Sequence, residues 1–328
     1  MNIRFSLVSL LLLVLAGTLY AQSIRVMTYN VLQFGEEEED ARIAALRTVI
    51  DAAEPDIICA QEIQGPSGYF AFHSKITGPG GYMSAGFIDG PDDNDDELFY
   101  RESKVTMLGM QEIEIEPRPA HVYTVHALGT SDTIHIVVVH LQAGASEADV
   151  ATRTEACRQI RRVLDTLPLH HHRIVAGDLN MFSSSEEGYQ ILTIVGIAEA
   201  GEVADPINRP GRWSNDSTFA DLHTHSTRAD SLDDGGGNGG MVNRFDQILV
   251  SPRLLPYLVQ ESYEAIGQDG EHFGRSLLDG LNGVVSQELA QALYTASDHL
   301  PVVVSLELAT SGVEELRGRG KVMDLTQR

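Results

Sequence analysis

The sequence predicts one α/β sandwich, two sheets of mostly antiparallel strands with helices outside, and three observations carry that expectation. Short apolar runs alternate with amphipathic stretches from Ile24 onward. Ile134, Ile136 and Val137–Val139 make one of those runs apolar enough to be a central strand covered on both faces. No internal repeat and no interdomain linker breaks the alternation.

The chain opens with a targeting segment. Met1–Arg4 carries a positive charge, Phe5–Leu15 is apolar, and Leu19-Tyr20-Ala21 ends on a small residue before Gln22. This is the layout of a secretory signal peptide cleaved after Ala21. Its apolar run is shorter than the ~20 residues a membrane span needs. The expected organisation is a signal peptide over 1–21, one domain over 22–309 and a polar tail over 310–328. The mature protein is expected to be secreted (periplasmic, extracellular or cell-surface), without stable membrane insertion or an implied protein partner.

Ile24–Asn30 and Asp56–Gln61 read as strands, joined by a helix in which Ile43, Leu46 and Ile50 recur at helical spacing behind the acidic start Glu36–Asp40. Lys104–Met110, Val122–His126 and Thr133–His140 read as further strands. Ser146 can cap a helix presenting Val150, Cys157, Ile160 and Leu164 on one face. Arg173–Gly177 is another buried strand, Ser183–Ser185 a helix start, and Phe245–Val250 and Val302–Leu308 complete the set. Asp89–Glu97, Ser231–Gly240 and Gln260–Gln287 are loops on composition. Cys59 and Cys157 read as packed thiols, too few for a disulfide framework.

Of the 328 residues, 43% are hydrophobic, enough for a real core, and the formal net charge is −24. That charge argues against gripping polyanions by a broad basic face. A phosphate would have to be received locally, by a cation and a few arginines.

Polar residues with a particular chemistry stand at the ends of the apolar strands: Asn30, Glu62, His140, Asp178 with Asn180, Asp246, and Asp298 with His299. Capping explains such residues singly, but not the coincidence at six strand ends. Cleaving a phosphate ester needs a hard cation such as Mg2+ on carboxylate oxygens, which Glu62 offers. It needs a water activated by a His or Asp held by a second carboxylate. Neutral donors such as Asn30 and Asn180 stabilise the developing charge.

Met27-Thr28-Tyr29-Asn30, Gln61-Glu62, Gly177-Asp178-Leu179-Asn180, Arg244-Phe245-Asp246 and Ser297-Asp298-His299-Leu300-Pro301 occur in this order. Together they resemble the motifs of the endonuclease/exonuclease/phosphatase superfamily, which includes deoxyribonuclease I, abasic-site endonucleases and bacterial sphingomyelinases. The resemblance spans residues 24–308. It implies a deoxyribonuclease I-like four-layer αββα sandwich and a Mg2+-type ion, with Mn2+ or Ca2+ as alternatives. It also implies roles: Glu62, Asn30 and Asp298 at the metal; His299 as base or phosphate contact, oriented by Asp246; Asp178 and Asn180 holding the water and the scissile phosphate. The base falls jointly to Asp178 and His299.

His140 is similar to a histidine that deoxyribonuclease I and the sphingomyelinases use as acid or transition-state donor, and His140-Leu141-Gln142-Ala143 resembles the secreted bacterial branch. Its acidic partner stays open among Asn94, Asp95, Asp96 and Glu97. Tyr100 and Arg101 resemble substrate-side positions, and Arg118 is the candidate phosphate clamp, since a guanidinium offers a bidentate fork. The expected partner is a phosphodiester, nucleic acid first, with a sphingomyelinase-like or small-molecule phosphodiesterase or phosphatase as the alternative. A secreted binding module that had lost catalysis would show degenerate motifs, and none of the expected side chains is missing.

Other motifs compete less well. Asp221-Leu222-His223-Thr224-His225 resembles the opening of another metal-hydrolase family but lacks its downstream ligands, and is expected at the rim of the site. His170-His171-His172 reads as an exposed turn. Asp92–Glu97 reads as a solvated acidic loop without the glycine and terminal glutamate of a calcium loop. Lys321–Thr326 is similar to the start of a bacterial sorting segment.

Overall fold

The computed structural model describes residues 21–90, 94–193 and 201–311. The segment expected as a signal peptide, apart from Ala21, and the expected tail, apart from Thr310 and Ser311, lie outside the described residues. In chain order the strands are β1 (Ala21–Phe34), β2 (Ile57–Ile63), β3 (Met83–Ser84), β4 (Asp95–Tyr100), β5 (Val105–Ile113), β6 (Ala120–Ala127), β7 (Thr133–His140), β8 (His172–Asp178), β9 (Asp246–Val250), β10 (Glu264–Ala265) and β11 (Val302–Ala309). The helices are α1 (Asp40–Ala53), α2 (Gly65–Phe72), α3 (Glu147–Thr166), α4 (Glu187–Thr193) and α5 (Gln287–Ala296).

One sheet runs β10-β11-β1-β2-β4-β3 and the other β5-β6-β7-β8-β9. Each contains a single parallel pair, β1 with β2 and β7 with β8, and every other pairing is antiparallel. A parallel pair needs a crossover, and α1 and α3 supply the two. The C-terminal ends of these pairs carry Asn30, Glu62, His140 and Asp178. Ligands of α/β sheets gather outside such ends, because the loops leaving them diverge.

Three apolar layers separate the four structural ones. Ile24, Ile57, Ile136, Ile174 and Val304 fill the space between the sheets. Leu46, Ile50, Phe72, Leu293 and Val303 join the first sheet to α1, α2 and α5. Val137, Val175, Ile160, Leu164 and Trp213 join the second sheet to α3 and α4. Alternation along β7 makes this division: Ile134, Ile136 and Val138 face the partner sheet, Val137 and Val139 the helices. Cys59 belongs to the middle layer and Cys157 to the α3 layer, so both are packed free thiols.

Local expectations meet the structure well at α3, where Ser146 Oγ accepts from the Asp149 N–H and Asp149 reaches back to the Ser146 N–H. The acidic stretch is different. Asp95, Asp96 and Glu97 are buried in β4, paired against β2, and of the expected loop only Asp89, Gly90 and Asn94 are described outside the strand. Composition misleads there, because a solvated loop and a strand entering an electrostatic site can share the same acidic letters. His172 is likewise buried as the first residue of β8 rather than exposed in a turn.

Gly177 permits the closest approach in the second sheet. A Cβ at that position would lie 1.8 Å from the Val139 carbonyl oxygen on β7. Gly177→Ala is therefore expected to cost several kcal/mol, toward the ~4 kcal/mol end of single-substitution effects. Ser146→Ala should cost only about 1 kcal/mol. Chemical denaturation of both variants checks the order.

Candidate active site

Two of the rim residues hold backbone conformations that their side chains disfavour. Glu62 has φ 64° and Asn180 φ 50°, both left-handed. Asparagine tolerates this region; glutamate does so at a cost of roughly 1–2 kcal/mol. At Glu62 the register of β2 against β4 shifts between Ala60 and Ile63, and the irregularity turns the carboxylate into the rim. The preceding Gln61 is buried and locked, accepting from Thr28 Oγ1 at 3.1 Å and donating to the Cys59 carbonyl at 2.9 Å.

Asn30 and Glu62 come from the first sheet. Asn30 Nδ2 donates to Glu62 Oε1 at 2.8 Å and lies 3.2 Å from Asp178 Oδ2 on the second sheet. Its Oδ1 accepts from the Leu32 N–H at 3.0 Å, so Asn30 turns its donors to the carboxylates and holds them in place. The Gln33 N–H fixes the other oxygen of Glu62 at 3.0 Å. Arg42 of α1 donates to the Val31 and Leu32 carbonyls and secures this turn from behind.

The second sheet adds Asp178, opposite His140 on β7 and Asp246 on β9. His140 Nε2 stands 3.8 Å from Glu62 Oε1 and 3.6 Å from Asp178 Oδ2. The Asn180 N–H caps Asp178 Oδ1 at 2.9 Å, and Asn180 Nδ2 donates to the Leu141 carbonyl at 3.1 Å. His299 Nδ1 meets Asp246 Oδ2 at 2.7 Å, leaving Nε2 3.8 Å from Asp178 Oδ2. Ser297 donates to the Asn30 carbonyl at 2.7 Å and accepts from the His299 N–H at 3.0 Å, tying the last motif to the first.

Charge is concentrated here on buried side chains. Burial, reinforced by Asp246 and Glu62 and opposed by His299, pushes the Asp178 carboxyl above the usual carboxylate range. Burial opposes a proton on His299, but Asp246, Asp298 and Asp178 outweigh it and hold this imidazole well above its ordinary value. Burial, with Arg118 and His299 nearby, pushes His140 well below its own. Like neighbours with opposite shifts are the mark of a site that assigns different proton roles.

Asp298 faces a second group. Its Oδ2 accepts from the Gly237 N–H at 2.5 Å and lies 3.5 Å from His225 Nε2. His225 packs at a tilt against His299 and Phe245, at 4.7 and 5.2 Å between ring centroids. The glycine-rich loop thus closes over this corner, and a Cβ at Gly237 would sit 2.2 Å from His225 Nε2, so a larger residue there would have to displace that ring.

Of the sequence-predicted residues, Asn30, Glu62, His140, Asp178, Asn180, Asp246, Asp298 and His299 come together. Arg118 joins them, donating to the His140 carbonyl at 3.1 Å. Tyr100 and Arg101 do not. β4 runs antiparallel to β2, so the chain leaves the rim after Asp95 and Tyr100 ends opposite Ile57, in the middle core layer. Arg101 is committed to the Pro55 and Gly80 carbonyls and the Tyr82 hydroxyl. His223 is also structural, its nitrogens on the Trp213 and Met241 carbonyls. Sequence reasoning offered Asp96 only as one of four candidates for the acidic partner of His140; its buried carboxyl is raised well above its ordinary value by burial, with Asp95, Asp178 and Glu62 adding and Arg118 opposing. It left His225 only as a residue of the rim.

The donor set fits a hard divalent cation. Two clusters, Asp178/Asp246/His299 and His225/Asp298/His299, place their donor atoms within 4.8 Å of one another. Asp246 Oδ1 is buried with no partner among the described residues. Glu62, Asp178, Asp246 and Asp298 crowd one rim, and buried anions of this density call for a counter-cation.

A two-sheet sandwich with a carboxylate–histidine rim at the ends of its parallel pairs defines a hydrolase of the phosphoesterase type. The sequence profile of the Endonuclease/Exonuclease/phosphatase family matches residues 27–299, and the chain belongs to that family. No curated protein matches the sequence. Among solved structures, the human Nocturnin catalytic domain with bound sulfate is similar at 18% identity and TM-score 0.56, covering 87% of this chain and 94% of its own. TDP2 of D. rerio, complexed with a single-strand DNA product, is similar at 17% and 0.57, covering 86% and 98%. An endonuclease/exonuclease/phosphatase from Bacteroides vulgatus is similar at 17% and 0.54, covering 87% and 99%. At these identities the likeness shows the fold.

If Asp246 is what holds the proton on His299, Asp246→Asn should lower the titration midpoint of that imidazole by at least about one unit. Ring-proton NMR of chelator-treated protein reads it.

Proposed function

We propose that the protein is a secreted, divalent-metal-dependent phosphodiesterase that hydrolyses its substrate by in-line attack of water, with nucleic acid as the leading substrate. One observation carries the reading. The amide of Asn30 brings the Glu62 carboxylate of one sheet and the Asp178 carboxylate of the other to a single point, with His140 and His299 on either side.

Glu62 would hold a Mg2+-type ion, with Asp298 beside it, and the bound ion would neutralise non-bridging phosphate oxygens. Asp178 and His299 flank the position of an attacking water. His299, held as the imidazolium by Asp246 at Nδ1, keeps Nε2 aimed at Asp178 and steadies the carboxylate of Asp178, which accepts the water's proton. Asn180, fixed by the Leu141 carbonyl, orients that pair. His140 is neutral in this environment and serves as a hydrogen-bond donor to charge developing on the phosphoryl group or leaving oxygen. Arg118, which donates to the His140 carbonyl, would contact the incoming phosphate. The sequence of residues 1–21, read as a secretory leader, supports secretion.

The net charge of −24 favours a second reading, a small phosphodiester in place of a polymer. A lipid head group is less well supported, since the single tryptophan, Trp213, is fully buried and offers nothing to a membrane. Among the described residues no helix is long and apolar enough to cross one.

The test is a turnover screen on single-stranded DNA, plasmid DNA, RNA, sphingomyelin and a bis-aryl phosphodiester, with Mg2+ or chelator. Metal-dependent cleavage of a nucleic acid, reduced about 10²–10⁴-fold in His299→Ala, is expected. Chelator-resistant activity, or none on any substrate, overturns the reading.

A further inference from the structure

Beside the rim lies a small pocket that the proton and metal chemistry leaves unused. Arg212, Ser214, Asn215, Asp216, Ser217 and Phe273 line a cavity of about 430 Å3, within the range of small-ligand sites. Backbone pairing fixes its place. Arg212 forms a bridge with Ser183, three residues beyond Asn180, and the Trp213 and Ser214 N–H groups donate to the Phe182 carbonyl. The Asn215 N–H donates to the Val242 carbonyl at 2.8 Å, and the Val242 N–H to that of His225 at 2.9 Å. Asn215 and His225 are therefore two strand spacings apart, roughly 10 Å at ~4.8 Å each. That places the pocket beyond the scissile phosphate and within reach of the nucleotide beside it.

Resting on the nucleic-acid reading of the rim, we propose that this pocket is a subsite for a nucleotide flanking the scissile phosphodiester, and that the substrate is single-stranded. Arg212 is exposed, and its guanidinium makes no hydrogen bond or ion pair among the described residues. Arg209 and Arg275, on the same two segments, are engaged by Asp221 and by the Glu271 carbonyl. A guanidinium with its fork unfilled suits a phosphate, and one such contact needs no broad basic face.

The other side chains answer to a base. Phe273 is half-buried, with the His223 ring beside it at 5.8 Å between centroids. His223 is fixed in turn, its nitrogens on the Trp213 and Met241 carbonyls. A ring held this way is a stacking platform that accepts any base. Asp216 Oδ1 accepts from the Thr218 N–H and hydroxyl at 2.9 and 2.8 Å, which leaves Oδ2 to accept from a base amino group. The same charge repels a phosphate, so the pocket suits a nucleotide with its base turned inward better than a phosphate alone. A base must leave its stack to reach Phe273, which a single strand allows and a duplex resists.

The experiment is fluorescence anisotropy with a nuclease-resistant phosphorothioate oligonucleotide in saturating Mg2+, which reads binding whether or not cleavage occurs. Wild type is compared with Arg212→Ala, Phe273→Leu and Arg253→Ala on the single strand, on its duplex and on a single strand carrying abasic sites. Arg253 is exposed beyond the far end of β9 and serves as the control for loss of one charge. Arg212→Ala and Phe273→Leu should each weaken single-strand binding at least about fivefold, and Arg253→Ala should not. The abasic strand should be insensitive to Phe273→Leu, and the duplex should bind more weakly than the single strand. A melting temperature of Arg212→Ala close to wild type shows that the variant folds. Equal binding by wild type and Arg212→Ala, equal losses in Arg212→Ala and Arg253→Ala, or tighter binding of the duplex overturns the proposal. Arg212-dependent binding without turnover in the substrate screen would keep the subsite and remove the catalytic reading. Metal-dependent turnover with Arg212-independent binding would do the reverse.

Discussion

One amide group ties the two halves of the molecule together where the chemistry is. Asn30 leaves the end of β1 in the first sheet, and its Nδ2 faces both Glu62 of that sheet and Asp178 of the other. The two carboxylates would repel each other in a buried rim without a donor between them. Much else follows from keeping this contact. Arg42 and the Leu32 and Gln33 N–H groups hold the turn, Ser297 hooks the last motif onto the Asn30 carbonyl, and Gly177 lets β8 lie close against β7.

The architecture explains why these residues meet although they are far apart in sequence. Each sheet carries one parallel pair with its crossover helix outside, so the two pairs end side by side at one rim. Asp246 and His299 then enter from antiparallel neighbours, β9 and the segment before β11, and complete a proton-handling pair. Glu62 and Asn180 accept left-handed backbone there, a cost borne where side-chain direction matters most.

Much of this was legible in the sequence, for a physical reason. Apolar runs mark strands, and a polar residue with a metal or proton role at the end of each run marks the rim. That logic located Asn30, Glu62, His140, Asp178, Asn180, Asp246, Asp298 and His299 together. It failed where composition and environment part company. The acids before Leu98 looked like solvated loop, yet Asp95, Asp96 and Glu97 are buried strand residues. Tyr100 and Arg101 followed them in sequence and were expected at the substrate, but an antiparallel strand that begins at the rim must end away from it. His225 was hidden because its contact with Asp298 depends on how the glycine loop folds.

The cation's position is the point on which the functional reading turns. Crystals soaked with Mn2+ and measured at the manganese absorption edge would locate it directly. An anomalous peak about 2 Å from a Glu62 carboxylate oxygen is expected. A peak confined to the His225/Asp298/His299 corner, or no peak at the rim at all, would contradict the assignment of Glu62 as the principal ligand.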